Sequence, residues 1–156
     1  MSSPKEIKAQ CYKTFIRPIL EYASSVWSPH NNASLSTKIE MVQRKACRWI
    51  ENKWEYHHSP TPMLKCLNLD PLELRRELSC LKMLFDITNG FKYMDKALLP
   101  IRQRTLNVKY KLIHPKLKVY ENSFFPYTIR LWNSLSNKIT NLTDRDAFKM
   151  ALTKIS

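Results

Sequence analysis

Apolar positions recur every three or four residues along most of this chain, and this spacing predicts helices rather than strands. The clearest such element begins at Asp70-Pro71, where a capping carboxylate precedes a proline at the first helical position. It ends near Gly90, the sole glycine, a residue that suits the left-handed turn closing many helices. We therefore predict one helix of about five turns between these residues.

Two more helices are predicted upstream. A helix that begins at Pro4 is expected to kink or restart at Pro18, because the proline ring removes an amide and crowds the preceding turn. Another covers residues 36–52, with Thr37 and Glu40 at capping-box spacing. Its apolar face comprises Leu35, Ile39, Val42, Ala46, Trp49 and Ile50. We assign this tryptophan to the core rather than to a base-stacking platform.

The C-terminal part carries the same spacing in two shorter stretches. One helix is predicted over residues 123–135, starting near Pro126, and a last helix is capped by Thr143 with Asp146. Around residues 101–120 apolar and polar residues alternate instead, which predicts a short basic β ribbon or extended loop. The predicted fold class is therefore mainly α, a helical bundle with this one irregular segment.

The length of the chain favours one domain. At 156 residues it can bury a real core but would be cramped as two full domains, and a single glycine argues against a turn-rich β sandwich or barrel. We divide the predicted domain into a helical region at 1–100, a basic irregular insertion at 101–121 and C-terminal helices at 122–156.

The charge is strongly unbalanced. Lys and Arg number 26 against 13 acidic residues, a net charge of +13, so polyanions are attracted and nucleic acid is the leading partner. An anionic membrane surface competes, yet no stretch reaches the ~20 apolar residues of a transmembrane helix. We expect an intracellular protein, nuclear or cytoplasmic, that is neither secreted nor transmembrane and keeps its four cysteines reduced.

Two groups of cations are candidates for contact with backbone phosphates. One lies on the predicted helix 36–52, off its apolar face, and the other lies in the segment 101–120, which holds no acidic residue. A solvated basic face is the competing interpretation of both groups. The candidates are Arg44, Lys45 and Arg48 in the first group, and Arg102, Arg104, Lys109, Lys111, Lys116 and Lys118 in the second.

Residues for catalysis are not apparent. A two-metal polymerase needs converging carboxylates, and the chain has only five aspartates: Asp70, Asp86, Asp95, Asp144 and Asp146. The last two resemble a catalytic pair, but their place at a helix start is explained by capping and by the helix dipole. One glycine also cannot build a phosphate-binding loop or a nucleophile elbow. We expect no catalysis, no metal site and no small-molecule substrate.

Three blocks carry a family resemblance. They are RPILEYASSVW at residues 17–27, MVQRKACRW at 41–49 and NSFFPYTIRLWNSL at 122–135. Together they resemble the region that follows the polymerase core in reverse transcriptases of non-LTR (LINE-type, jockey-like) retrotransposons. The chain departs from the family pattern at Ser136, where a proline often stands, and at residues 50–52, which replace a glycine-bearing turn.

The resemblance implies a thumb-like helical region that grips a primer-template duplex of RNA or DNA behind a separate active site. Such a fragment of an RNA-directed DNA polymerase would be non-catalytic alone and would need no cofactor, whereas the parent polymerase would need Mg²⁺. Its grip would use backbone contacts with little reading of sequence. The alternative is an interaction remnant that packs on a missing polymerase palm and does not bind nucleic acid by itself.

Overall fold

The computed structural model describes residues 3–30, 32–54, 59–95, 98–103, 109–114 and 116–154, apart from the side chains at 118 and 119. The protein is mainly helical, which confirms the predicted fold class. The chain divides into two compact units, Met1–Arg76 and Glu77–Ser156, which are described here one at a time. The prediction that they form one domain stays a prediction.

The first unit contains five helices and the start of a sixth in its described part. They are α1 (Lys5–Cys11), α2 (Arg17–Glu21), α3 (Ser24–Trp27), α4 (Ala33–Glu51), α5 (Pro60–Cys66) and the beginning of α6 (Leu72–Thr88). The second unit holds the rest of α6 followed by α7 (Lys118–Glu121), α8 (Phe124–Ser134), α9 (Asn137–Thr140) and α10 (Arg145–Thr153).

The predicted interruption at Pro18 takes the form of a π-helical turn, Tyr12–Ile16, directly before α2. In a regular α-helix the ring of Pro18 would crowd the carbonyl four residues earlier, and that carbonyl would have no amide donor. The wider π turn makes room for the ring. A second break follows at Ala23, whose φ of 49° is left-handed and therefore strained for a residue with a side chain. The helix predicted to kink or restart at Pro18 is thus divided into short helical pieces.

α4 is the centre of the first unit. Gln43, which is fully buried on this helix, accepts a hydrogen bond from the Tyr12 hydroxyl (2.8 Å) and donates one to the Asp70 carbonyl (2.9 Å). These bonds satisfy a polar side chain that would be costly to bury alone, and they tie α4 to two distant parts of the unit. Around them packs a buried cluster of Tyr12, Ala46, Cys47, Ile50, Met63 and Leu69.

The predicted capping box of α4 is wrong. The helix begins earlier, after Asn32, whose Oδ1 accepts a hydrogen bond of 3.0 Å from the Leu35 amide. An asparagine at this place satisfies an amide of the first turn, so Thr37 falls inside the helix and has no terminus to cap. Glu40 instead accepts a hydrogen bond of 2.8 Å from the Glu73 amide at the start of α6.

An aromatic stack organises the second unit. The Phe148 ring lies 4.2 Å from that of Phe85 and 5.5 Å from that of Trp132, measured between centroids, so α6, α8 and α10 meet at one point. Such pairs contribute beyond the area they bury. The complete buried cluster is Leu81, Leu84, Phe85, Tyr110, Ile129, Trp132, Phe148 and Leu152.

The predicted ribbon is short. In the described part of 101–120, one antiparallel bridge joins Arg102 to Tyr110, and Lys111 donates its amide to the Ile101 carbonyl (2.7 Å). The Asn133 side chain on α8 accepts from the Tyr110 amide (3.0 Å) and donates to the Tyr110 carbonyl (2.8 Å). The side-chain amide thus makes the pair of hydrogen bonds that the backbone of a neighbouring strand would make. It holds the segment against α8, where few backbone hydrogen bonds between extended segments are present.

The predicted helix ends are partly confirmed. Gly90 has a φ of 79°, the left-handed conformation expected just beyond α6. The cap of α10 is Asp144, whose carboxylate accepts a hydrogen bond of 2.7 Å from the Ala147 amide, so the prediction of Thr143 is wrong by one residue. An aspartate serves this position at least as well as threonine, because its charge also favours the helix dipole.

Candidate nucleic-acid interface

The three predicted cations of α4 differ in exposure. Arg44 and Lys45 are exposed, and Arg48 is half-buried nearer the C-terminal end. All three lie within five consecutive residues of one helix, so they are within about 6 Å of one another along its axis. The structure therefore brings this first group of candidates together.

The acidic residues of α4 are engaged elsewhere. Glu40 accepts from the Glu73 amide, and Glu51 forms an ion pair of 2.7 Å with Lys5. Within the described ranges neither Arg44 nor Lys45 forms an ion pair or a side-chain hydrogen bond. Their positive charge is therefore not neutralised by the helix that carries it.

The second group of candidates lies in the second unit. Lys111 and Lys116 are exposed, and their side chains form no ion pair with any residue that the structure describes. Arg102 is exposed at the bridge to Tyr110, and its guanidinium carbon lies 5.4 Å from the centroid of that ring. The bridge thus places Arg102 beside the extended segment that continues into Lys111.

Lys109 occupies a different kind of position. Its ammonium group donates hydrogen bonds to the carbonyls of Asn133 (2.8 Å) and Leu135, at the C-terminal end of α8. Helix C-termini leave such carbonyls without partners, and a cation there also stabilises the negative end of the dipole. The ammonium of Lys109 is therefore engaged in the fold, unlike those of Lys111 and Lys116.

Two predicted residues are not located. Arg104 lies outside the described residues, and Lys118 is described only as the first residue of α7, without its side chain. Their contact with nucleic acid stays a prediction.

Other cations are held by acids. Arg145 binds both carboxylate oxygens of buried Asp86, at 2.9 and 2.8 Å, and Arg75 binds both oxygens of Glu21. These hydrogen bonds raise the pKa of each arginine, because the charged form gains a carboxylate partner. These arginines therefore stabilise the units and offer little free charge to a polyanion.

Sequence reasoning missed the role of Lys8. This residue of α1 is buried, and its ammonium donates to Asn52 Oδ1 (2.6 Å) and lies 5.5 Å from the Trp49 ring centroid. It serves the C-terminal end of α4 as Lys109 serves α8. No local pattern could reveal it, because its partners lie more than forty residues away along the chain.

The two aspartates at the start of α10 are engaged in local contacts. Asp144 caps α10, and Asp146 forms an ion pair of 3.0 Å with Lys149. Both carboxylates are therefore explained by local contacts. In the part of the chain that the structure describes, no three Cys, His, Asp or Glu side chains are grouped to hold a metal ion.

The described residues also include no helix with the length and apolarity to cross a bilayer.

Comparisons with known proteins add no assignment. No protein-family model, no curated protein and no solved structure matches this chain.

Proposed function

We propose that this chain is the C-terminal, non-catalytic part of a non-LTR retrotransposon reverse transcriptase, and that it binds primer-template nucleic acid through backbone phosphates. The family part rests on the sequence resemblance, and the observation that supports phosphate binding most directly is the division of the cations into those paired with acids and those without an acidic partner. Four exposed candidates, Arg44, Lys45, Lys111 and Lys116, have no acidic partner among the described residues. Unneutralised cations are the groups that displace counterions from a phosphate chain.

The magnitude of the effect follows from the number of contacts. If these four residues each neutralise one phosphate, log affinity for a duplex falls with log salt at a slope of about −3.6. Raising the salt from 50 to 200 mM then weakens binding roughly 150-fold. A salt titration with a fluorescent RNA–DNA hybrid duplex measures this slope directly.

A pair of double variants tests which cations contribute. Lys111→Ala with Lys116→Ala removes two unpaired charges and is expected to reduce the slope by about 1.8. Lys5→Ala with Lys149→Ala removes the same formal charge from two ion pairs, those with Glu51 and Asp146. This control is expected to leave the slope almost unchanged. Equal slopes for both double variants would contradict the proposal.

The absence of catalysis is a separate part of the proposal. Incubation of the purified chain with primer-template, Mg²⁺ and nucleotides is expected to give no extended primer. Extension by this chain alone, retained after purification to homogeneity, would show that it holds an active site and would refute this part.

A second candidate function is supported by a different surface. Between α1 and the end of α3, several large apolar side chains face solvent: Phe15 at 69%, Ile19 at 73%, Tyr22 at 79% and Val26 at 85% exposed. Apolar surface of this extent is typical of a protein interface. Here the chain would pack on a polymerase palm. Oligomers in light scattering, together with no duplex binding at 50 mM salt, would favour this function over the first.

A further inference from the structure

α4 has an apolar row that the fold covers only in part. The row is spaced by four and three residues and consists of Leu35, Ile39, Val42, Ala46 and Trp49. Most core contacts are made by a neighbouring strip around Gln43 and Cys47, which the row joins at buried Ala46. Leu35 is therefore 46% exposed and Val42 39% exposed, although their spacing is that of a buried helix face.

This row forms the floor of a groove in the first unit. Two hollows of about 480 and 330 Å³ both include Val42 in their walls. Beside α4, the first is walled by Ile16 and Trp54, and the second by Leu20 and Trp27. The groove is thus lined mainly by aliphatic and indole side chains over the length of α4.

The edge of the groove is positive. Lys38 lines one hollow and Lys45 the other, and neither forms an ion pair within the described part of the chain. The acidic residues of the same helix do not compensate them, because Glu40 is bonded to the Glu73 amide and Glu51 to Lys5. An occupant that brings carboxylates to this edge would therefore gain two ion pairs.

We propose that this groove binds an amphipathic helix of another protein, with aliphatic residues on one face and Asp or Glu beside them. The row from Leu35 to Trp49 spans about 21 Å, which matches a helix of roughly 14 residues. A second copy of this chain is a poor occupant, because each copy carries a charge of +13. Branched aliphatic side chains in the floor complement leucine better than they complement stacked bases. The inference does not depend on nucleic-acid binding.

The test uses a fluorescein-labelled peptide of about 16 residues with leucine on one helical face and glutamate on both sides of it. Anisotropy is expected to show saturable binding to the full chain. A scrambled peptide of the same composition and a charge-inverted peptide with lysine for glutamate are expected to bind at least ~10-fold more weakly.

Two variants of α4 locate the site. Val42→Glu places a charge in the floor and is expected to weaken peptide binding at least ~10-fold. Met41→Glu is the matched control, since Met41 is 45% exposed on the same helix and lines neither hollow. It is expected to change binding less than threefold. If Val42→Glu fails to fold by circular dichroism, Leu35→Glu provides the same test at another exposed floor position.

Three results would overturn the proposal. The first is equal binding of the amphipathic and scrambled peptides, and the second is an equal loss of peptide binding in Val42→Glu and Met41→Glu. The third is displacement of the peptide by an oligonucleotide, provided that Val42→Glu weakens oligonucleotide binding and Met41→Glu does not. The last result would assign the groove to nucleic acid. Failure of the salt-slope experiment with normal peptide binding would refute the proposed function and leave the groove intact.

Discussion

Replacing Lys109 by methionine tests whether this lysine stabilises the fold rather than contacts phosphate. Lys109 was predicted with its neighbours as a phosphate contact, yet its ammonium donates to the carbonyls of Asn133 and Leu135. Methionine keeps most of the aliphatic stem and removes only the charged donor. The resulting loss in the free energy of unfolding therefore measures the contribution of the two hydrogen bonds and of the positive charge at the end of α8.

The magnitude can be worked from these contacts. A hydrogen bond to a charged group contributes about 1.5–3 kcal/mol, and a cation at a helix C-terminus adds about 0.3–1 kcal/mol. Lys109 is half-buried, so water replaces part of both contributions after substitution. We expect a loss of about 1.5 kcal/mol in the free energy of unfolding, which shifts the urea midpoint by about 1 M for an m-value near 1.5 kcal/mol/M.

The assay is urea unfolding followed by tryptophan fluorescence, with Lys111→Met as the control. Lys111 is exposed, and its side chain has no described partner, so its substitution is expected to change stability by less than about 0.5 kcal/mol. The effects on duplex binding should be the reverse of those on stability: Lys111→Met is expected to reduce the salt slope, and Lys109→Met is expected to leave it unchanged. Wild-type stability of Lys109→Met combined with weaker duplex binding would refute the reasoning.

Three further predictions concern stability. Asp144→Ala is expected to cost about 1 kcal/mol through loss of the α10 cap, whereas Asp146→Ala should cost less than half as much; equal losses in urea would contradict the cap assignment. Trp132→Ala, at a position 2% exposed in the aromatic stack, is expected to cost about 3–5 kcal/mol in urea unfolding, and a loss below about 1 kcal/mol would contradict the central place of this ring. Burial raises the pKa of the Cys47 thiol from 9.0 to about 11, so its stabilising contribution is complete below pH 9 and is lost as the pH rises to 11. Stability should therefore fall by about 2–3 kcal/mol over this interval and fall less in Cys47→Ala, and an equal decline in both would count against burial of this thiol.

Local signals in the sequence were reliable where a single residue decides the structure. Gly90 was predicted to end a helix because few other residues accept a left-handed turn, and its φ of 79° confirms this. Pro18 was predicted to disturb the first helix, but the sequence could not specify a π-helical turn. Several backbone arrangements relieve a proline ring, and the choice among them depends on packing.

The burial of α4 was harder to predict. Its apolar spacing pointed to one face, whereas the buried strip includes Gln43 and leaves Leu35 and Val42 exposed. The polar residue is buried because Tyr12 and the Asp70 carbonyl complete its hydrogen bonds, from 31 and 27 residues away. Periodicity records which side chains are apolar, and it carries no information about such distant partners.

The same limit applies to the candidate interface. The exposure of Arg44 and Lys45 could be predicted from their position off the apolar stripe of a helix. The hydrogen bonds of the Lys109 ammonium could not be predicted, since the carbonyls that it binds lie 24 and 26 residues away along the chain. Charge density in a sequence therefore identifies a basic segment but does not distinguish cations that hold the fold from those left for a ligand.

The π-helical turn Tyr12–Ile16 makes the length of this segment matter more than its composition. A π turn holds about one residue more than an α turn, so the chain beyond it is rotated by about 100° relative to an uninterrupted helix. Deleting one codon between these residues would take out the extra residue, so a regular helix would keep Ile19 and Leu20 on the same side of the axis but would lose the room for the Pro18 ring. Inserting one codon would turn both side chains by about 100°. Most exposed side chains here can be exchanged at little cost, whereas an insertion would redirect everything that follows.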